Sequence, residues 1–220
     1  MQLAVFGSAG LAGAAVSRLA LENGHEVRAL VRGPNAVPGV EVIRGDALDP
    51  SAVERTLRGA DAVISTLGGF RGPESIAAGT RNIITAMRET GGSRLVVLQG
   101  FHIDFPGDPW SLGRRFVETY LRLRCRLLVP YGAELGELLR ATDEVAWTLV
   151  RIPRMVEGAP SGRARAGRFS LGPWSVVRTG DVAAHLLSLA QNESSVHDAP
   201  MLHTPRSRHA APTPAQPVNR

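Results

Sequence analysis

A short apolar strand that runs directly into closely spaced glycines and then a helix leaves a chain few folds to adopt. Residues 3–23 have that order: LAVF, then GSAGLAG, then an Ala/Leu-rich run to Asn23. It reads as a nucleotide-binding strand–turn–helix. Gly7 permits the sharp exit from the strand, because glycine tolerates backbone angles that a side chain forbids. Gly10 lets the main chain approach a pyrophosphate, and Gly13 lets the helix pack close to the strand. The helix N-terminus then offers unpaired N–H groups and a positive dipole to phosphates. Two plainer readings compete, a secretory leader and a glycine turn without ligand. The missing basic start, the interrupting glycines and the direct continuation into a strand count against the leader. The flanking strand and helix count against the bare turn.

The pattern then repeats. HEVRALVR alternates apolar residues as a second strand, GVEVIR gives a short third (Val40–Ile43), ADAVIS a fourth and SRLVVLQG a fifth. Asp49-Pro50 reads as an N-cap and first helical residue, with Val53 and Leu57 facing the sheet. The helix from PES to TG carries Ile76, Ile83, Ile84 and Met87 on one face. Four βα repeats in succession demand a doubly wound parallel sheet with right-handed crossovers and helices on both faces. One domain over 1–204 and a tail without apolar periodicity from 205 are expected.

Ligand contacts in such a sheet cluster at the carboxyl ends of the strands. At the end of the second strand a carboxylate selects NAD(H), whereas an arginine accommodates the 2′-phosphate of NADP(H). This chain has Arg32, followed by Gly33-Pro34 with no carboxylate nearby in sequence, so NADP(H) is the expected cofactor; a solvated loop arginine is the plainer alternative. Asp46 at the third strand's end suits an adenine amino group, and Thr66-Leu67-Gly68-Gly69 lies where a cofactor would cross the fourth.

All 25 basic residues are arginine. Without lysine there is no Walker P-loop, no Schiff base and no Tyr-x-x-x-Lys dyad. The net charge is only +5 and no nucleic-acid motif accompanies it, so nucleic acid is not an expected partner. The lone Cys125 excludes an internal disulfide and fits a reducing, cytoplasmic setting; its arginine neighbours would activate a thiol, but a buried or incidental one is the plainer reading. No apolar run is long enough to span a bilayer. SLGRRFVETYLRLRCRLLVP reads as one amphipathic helix with Phe116, Leu123 and Leu127 together, to cover the substrate end of the sheet, pack in a subunit interface or lie on a membrane. A monomer or homodimer is expected.

The pieces GSAGLAG, ALVR, VIRGDALDP, DAVISTLGG, GTRNIITAMRETG, RLVVLQG and WTLVRIP resemble the atypical short-chain dehydrogenase/reductase group, near the flavin reductase/biliverdin reductase B type and the NmrA-like proteins. SVVRTGDVAAHLLSLA resembles that group's late helix, with Asp181 as N-cap. The resemblance implies a Rossmann fold holding NADP(H) in an extended pose. Gly7, Ser8, Gly10, Leu11, Ala12 and Gly13 would hold the pyrophosphate, and Arg32 the 2′-phosphate. Asp46 and Ala47 would take the adenine, and Leu67-Gly68, next to Thr66, the adjoining ribose region. The nicotinamide would lie near Gln99-Gly100 and the loop after Arg151, where Arg154 stands in the place of a family histidine. Gln99-Gly100 also replaces a family Thr-Ser, and Tyr131 is followed four residues on by Leu135 rather than lysine. His102 and Tyr131 are the remaining candidates for proton transfer, each also explicable as a structural residue. Arg151 and Arg154 are candidates for an anionic group. The implied activity is hydride transfer from NADPH to a small planar acceptor, a flavin, a quinone or a related carbonyl. The alternative is a non-catalytic NADP(H)-sensing regulator of NmrA-like type.

Overall fold

The structure, a computed structural model, describes residues 1–68, 72–92 and 94–205. Gly69 and the tail from residue 206 therefore lie outside the described residues. Strand β1 (Gln2–Phe6) is buried from Leu3 onward, and α1 (Leu11–Glu22) follows the glycine turn. Then come β2 (Glu26–Val31), β3 (Glu41–Arg44), α2 (Pro50–Leu57) and β4 (Ala62–Ser65). A 3-10 turn (Pro73–Ser75) leads into α3 (Ala77–Thr90) and then β5 (Arg94–Gly100). Helices α4 (Leu112–Arg124) and α5 (Leu128–Arg140) precede β6 (Ala146–Ile152). The short strands β7 (Arg154–Val156), β8 (Arg165–Gly167) and β9 (Val176–Arg178), then α6 (Thr179–Ala190) and β10 (Met201–His203), complete the fold.

The main sheet has the order β3-β2-β1-β4-β5-β6-β10-β8, with β7 and β9 paired separately. Every neighbouring pair in the main sheet is parallel except β8 on β10. One face is covered by α1 and α6 over Leu3, Val5, Ile64, Val96 and Val150. The other packs α2, α3 and α5 over Ala4, Phe6, Val63, Leu95 and Leu149. The expected doubly wound α/β sheet is the observed fold. Because successive strand side chains alternate between the two helical layers, both layers need apolar residues, and β1, β4 and β5 read as near-continuous apolar runs.

Asp49 caps α2 as expected, accepting from the Ser51 N–H at 3.0 Å with Pro50 beside it. Two expectations need correction. The N-cap of α6 is Arg178, and Asp181 lies inside the first turn, where its carboxylate accepts from the Ser161 N–H and hydroxyl, both 2.7 Å, and from Thr204 at 2.8 Å. Asp181 thus ties the 158–163 loop and the end of β10 to the helix. The single amphipathic helix over 111–130 is two helices that break at Cys125. Phe116, Leu123 and Leu127 face solvent, and Leu121, on the opposite side, is the α4 residue that is buried.

Candidate functional site

The carboxyl edge of the sheet is built around the Gly7 turn. Gly7 has φ +82°, its carbonyl accepts from the Gly10 N–H at 2.9 Å, and Gly10 is the N-cap of α1. No side chain caps α1 and no acidic residue occupies its first turn, so its positive end is uncompensated by a protein side chain. The three glycines do different work. A Cβ at Gly13 would lie 2.2 Å from the Gly7 oxygen, so glycine there is a packing requirement. A Cβ at Gly10 would meet only that same oxygen, at 3.3 Å, and otherwise open space; the room it leaves suits a phosphate. Leu11 is exposed, whereas Ala12 is buried and Ser8 wholly so, its hydroxyl without a protein partner. Only the backbone of Ser8 is therefore placed to meet a ligand. A cleft of about 690 Å³ runs down the flank of α1 from Gly10 and Leu11 past Arg18 to Glu22, walled opposite by Gly158, Pro160, Gly180 and Ala183. Part of that wall is a loop held back by Asp181 through Ser161.

At the end of β2, the register that pairs Val31 with Arg44 lays the ends of β2 and β3 side by side. Arg32 consequently stands 3.4 Å from the Asp46 carboxylate, with 60% of its side chain exposed. The carboxylate that the sequence lacks next to Arg32 is thus supplied by the neighbouring strand. Asp46 also accepts from the Leu48 N–H at 2.9 Å, and Arg44 donates to the Gly33 carbonyl. Ala47 is buried and its carbonyl accepts from Asn82 at 2.9 Å.

Thr66 turns inward, its hydroxyl donating to the carbonyls of Phe6 at 3.0 Å and Gly7 at 3.2 Å, which fastens the glycine turn to β4. Gln99 donates to the Leu67 carbonyl at 2.7 Å and so joins the ends of β4 and β5, beneath the exposed Gly68. Arg154 is exposed on β7. Arg151 is no anion ligand. It is fully buried, and its guanidinium meets Asp108 at 2.5 and 2.7 Å and the carbonyls of Ile103 and Ala199. Two further arginines, Arg114 at 3.0 Å and Arg168 at 3.2 Å, surround that same carboxylate. Burial pushes the Asp108 carboxyl up, but its hydrogen bonds and attraction to Arg151 prevail and hold it below the usual range.

His102 folds back against Gly100 and borders a cleft of about 730 Å³ with Phe105, Asp108 and Arg140. Its Nε2 is buried without a partner against Gly132, the residue after the half-buried Tyr131. Burial lowers the imidazole pKa from 6.5 to about 4, with Glu118 opposing weakly, so His102 is neutral at neutral pH. Below pH 6.5 the unfolded chain takes up a proton that folded His102 refuses. Stability should therefore fall as the pH drops from 6.5 to about 4, by up to about 3 kcal/mol for a shift of this size. Urea titrations at successive pH values should find that part of the slope missing in His102→Gln. A remainder of the same sign is expected from His185 and His203, which burial also lowers.

A glycine-lined α1 terminus at the carboxyl edge of a doubly wound sheet defines a nucleotide-binding protein of Rossmann fold. The chain belongs to the NAD(P)H-binding family, whose profile matches residues 7–193. It is 39% identical over 201 residues to 2-alkyl-3-oxoalkanoate reductase of Stenotrophomonas maltophilia, covering 78% of this chain and 58% of that protein. The uncharacterized protein YwnB of Bacillus subtilis is 26% identical over 188 residues, 80% of this chain and 82% of its own. An uncharacterized Mycobacterium tuberculosis protein is 35% identical over 106 residues; the match takes in 46% of this chain but only 12% of that protein's length. Among solved structures, ChuY, an anaerobilin reductase from Escherichia coli O157:H7, superposes with a TM-score of 0.73 at 24% identity, covering 99% of this chain and 100% of that one. A short-chain dehydrogenase/reductase from Veillonella parvula gives 0.74 at 14% identity, covering 97% and 99%. At these identities the structural likeness concerns the fold. Among the described residues no helix is long and apolar enough to cross a membrane, and no cluster of His, Cys, Asp and Glu could hold a metal.

Proposed function

We propose that the protein is an NADPH-dependent reductase that passes hydride to a small planar acceptor, such as a flavin, a quinone or a related carbonyl. The observation that carries the reading is the glycine turn and uncapped α1 terminus on the same edge as the exposed Arg32. The chain's likeness to 2-alkyl-3-oxoalkanoate reductase supports the reaction type. In this reading the first-turn N–H groups hold the pyrophosphate, with Gly10 giving them access to it. Arg32 exchanges its 3.4 Å contact with Asp46 for the 2′-phosphate, a doubly charged and better-matched partner. Asp46, Ala47 and Leu67 border the adenosine half, and Gln99, immobilised on Leu67, sets the floor under the nicotinamide half. NADPH supplies the hydride when bound. With Gln99 committed to a carbonyl and His102 neutral at neutral pH, solvent supplies the proton, a demand that a flavin or quinone meets easily.

Calorimetry with NADPH and NADH, together with steady-state oxidation of NADPH across flavins, quinones and carbonyls, tests the reading. NADPH should bind more tightly, and Arg32→Asp should cost about 10- to 100-fold of that affinity while sparing NADH. Equal affinity for both cofactors would remove the role of Arg32. Binding without turnover on the whole panel would make the protein a cofactor-sensing regulator instead.

A further inference from the structure

Helix α4 carries an apolar stripe that the fold does not use. At about 100° per residue, Leu112, Phe116, Tyr120 and Leu123 fall within an arc of about 80°, and Leu127 continues it past the helix end. These side chains are exposed, from 54% at Tyr120 to 77% at Leu123. The buried Leu121 points the opposite way, so the stripe faces directly away from the protein. Arg115 flanks it on one side and Arg124 on the other. Residues 112–127 hold five arginines against one carboxylate, Glu118. Arg114 turns inward to Asp108 and Arg122 pairs with Glu118, but among the described residues Arg115, Arg124 and Arg126 have no carboxylate partner. Two indoles extend the surface at the start of α4. Trp110 is 67% and Trp174 75% exposed, and the loop before Trp174 packs on Gly113, where Ser111 donates to the Leu171 carbonyl.

We propose that α4, with Trp110 and Trp174, is a docking surface for an anionic phospholipid bilayer, on which the protein rests without spanning it. A strongly amphipathic helix with arginines beside its apolar face, and aromatic residues at its margin, matches the boundary between headgroups and acyl chains. Charge decides between the occupants. A second copy related by a two-fold axis would set the same unpaired arginines against one another, and its α4 would offer them only Glu118, which already pairs with Arg122. An anionic lipid surface neutralises them. The inference rests on α4 and is independent of the cofactor and acceptor.

The test is co-sedimentation of the full chain with phosphatidylcholine vesicles, with and without phosphatidylglycerol, at low and high salt. Binding is expected only with phosphatidylglycerol, weakened by salt, with a blue shift of tryptophan emission. Leu123→Glu should reduce the bound fraction about tenfold or more. Arg124→Glu/Arg126→Glu should also weaken binding and flatten its salt dependence. All these side chains are exposed, so the thermal midpoint in solution should stay at the parent value. No sedimentation with the anionic vesicles, or equal sedimentation with both kinds, overturns the proposal. So does a concentration-dependent dimer that Leu123→Glu dissociates in a protein that ignores vesicles.

Discussion

Replacing Asp108 by alanine should destabilise the protein by about 3–5 kcal/mol. For a chain of this size that lowers the thermal midpoint by roughly 10 °C. Among the described residues the carboxylate is the only anion facing the fully buried Arg151 guanidinium, which it meets through both of its oxygens. It also sits against Arg114 and Arg168, so its removal leaves three cations around one void. The carbonyls of Ile103 and Ala199 still accept from Arg151, but they neutralise none of its charge. Asp108→Ala/Arg151→Met should recover much of the loss, since a buried pair costs more to break than to replace by well-packed apolar groups. Denaturant melts of the two variants check both statements; a single variant within 1 kcal/mol or so of the parent would be incompatible with this account. The pair also has a pH signature. With the Asp108 pKa held below 3.8, its contribution is intact above that value and is lost only as the pH falls further. The His102 contribution fades first, between 6.5 and about 4.

The second large effect separates two glycines three residues apart. Gly13→Ala should destabilise by about 3 kcal/mol, at the upper end of ordinary overpacking. Its Cβ would enter the space of the Gly7 oxygen and the Ser8 Cα, and both obstacles are backbone that cannot swing aside. The helix must back away from β1, and NADPH affinity should drop with it by about tenfold or more, because the N–H groups lose their aim. Gly10→Ala meets only the Gly7 oxygen, at 3.3 Å, and should leave the thermal midpoint within a few degrees of the parent. Its methyl group would occupy the approach proposed for the pyrophosphate, so NADPH affinity should still fall. Measuring melting and calorimetric binding on both variants distinguishes a packing glycine from a ligand-facing one.

The order of strands and helices was legible because it is written in local signals: apolar runs in β1, β4 and β5, the Asp49-Pro50 cap, and the glycine spacing after Phe6. What escaped depends on contacts between distant residues. Arg151 and Asp108 are 43 residues apart, and each alone resembles a surface charge. Asp46 reaches Arg32 only through the register between β2 and β3. Periodicity told that α4 has two faces, but not which one the protein would use. Pro130 sits in the first turn of α5, where a missing N–H costs nothing. The glycine turn was easier to read than the loops around it because glycines betray backbone geometry. An acceptor is gripped by side chains from loops, which follow no period.

The two ends of the main sheet bear on how the protein behaves when concentrated. Its outermost strands are β3, four residues long with Glu41 and Arg44 exposed at its ends, and β8, three residues long and opening on Arg165. Free main-chain donors and acceptors on an outer strand invite another chain to add itself. Short, charged margins make that addition unprofitable: few bonds form, and ions must shed water to form them. The long apolar strands that would recruit neighbours, β5 and β6, lie in the middle with both sides occupied. Native protein should therefore resist ordered β-aggregation even where its surface is otherwise adhesive, and fibril-dye assays after prolonged incubation should stay flat until the fold itself opens.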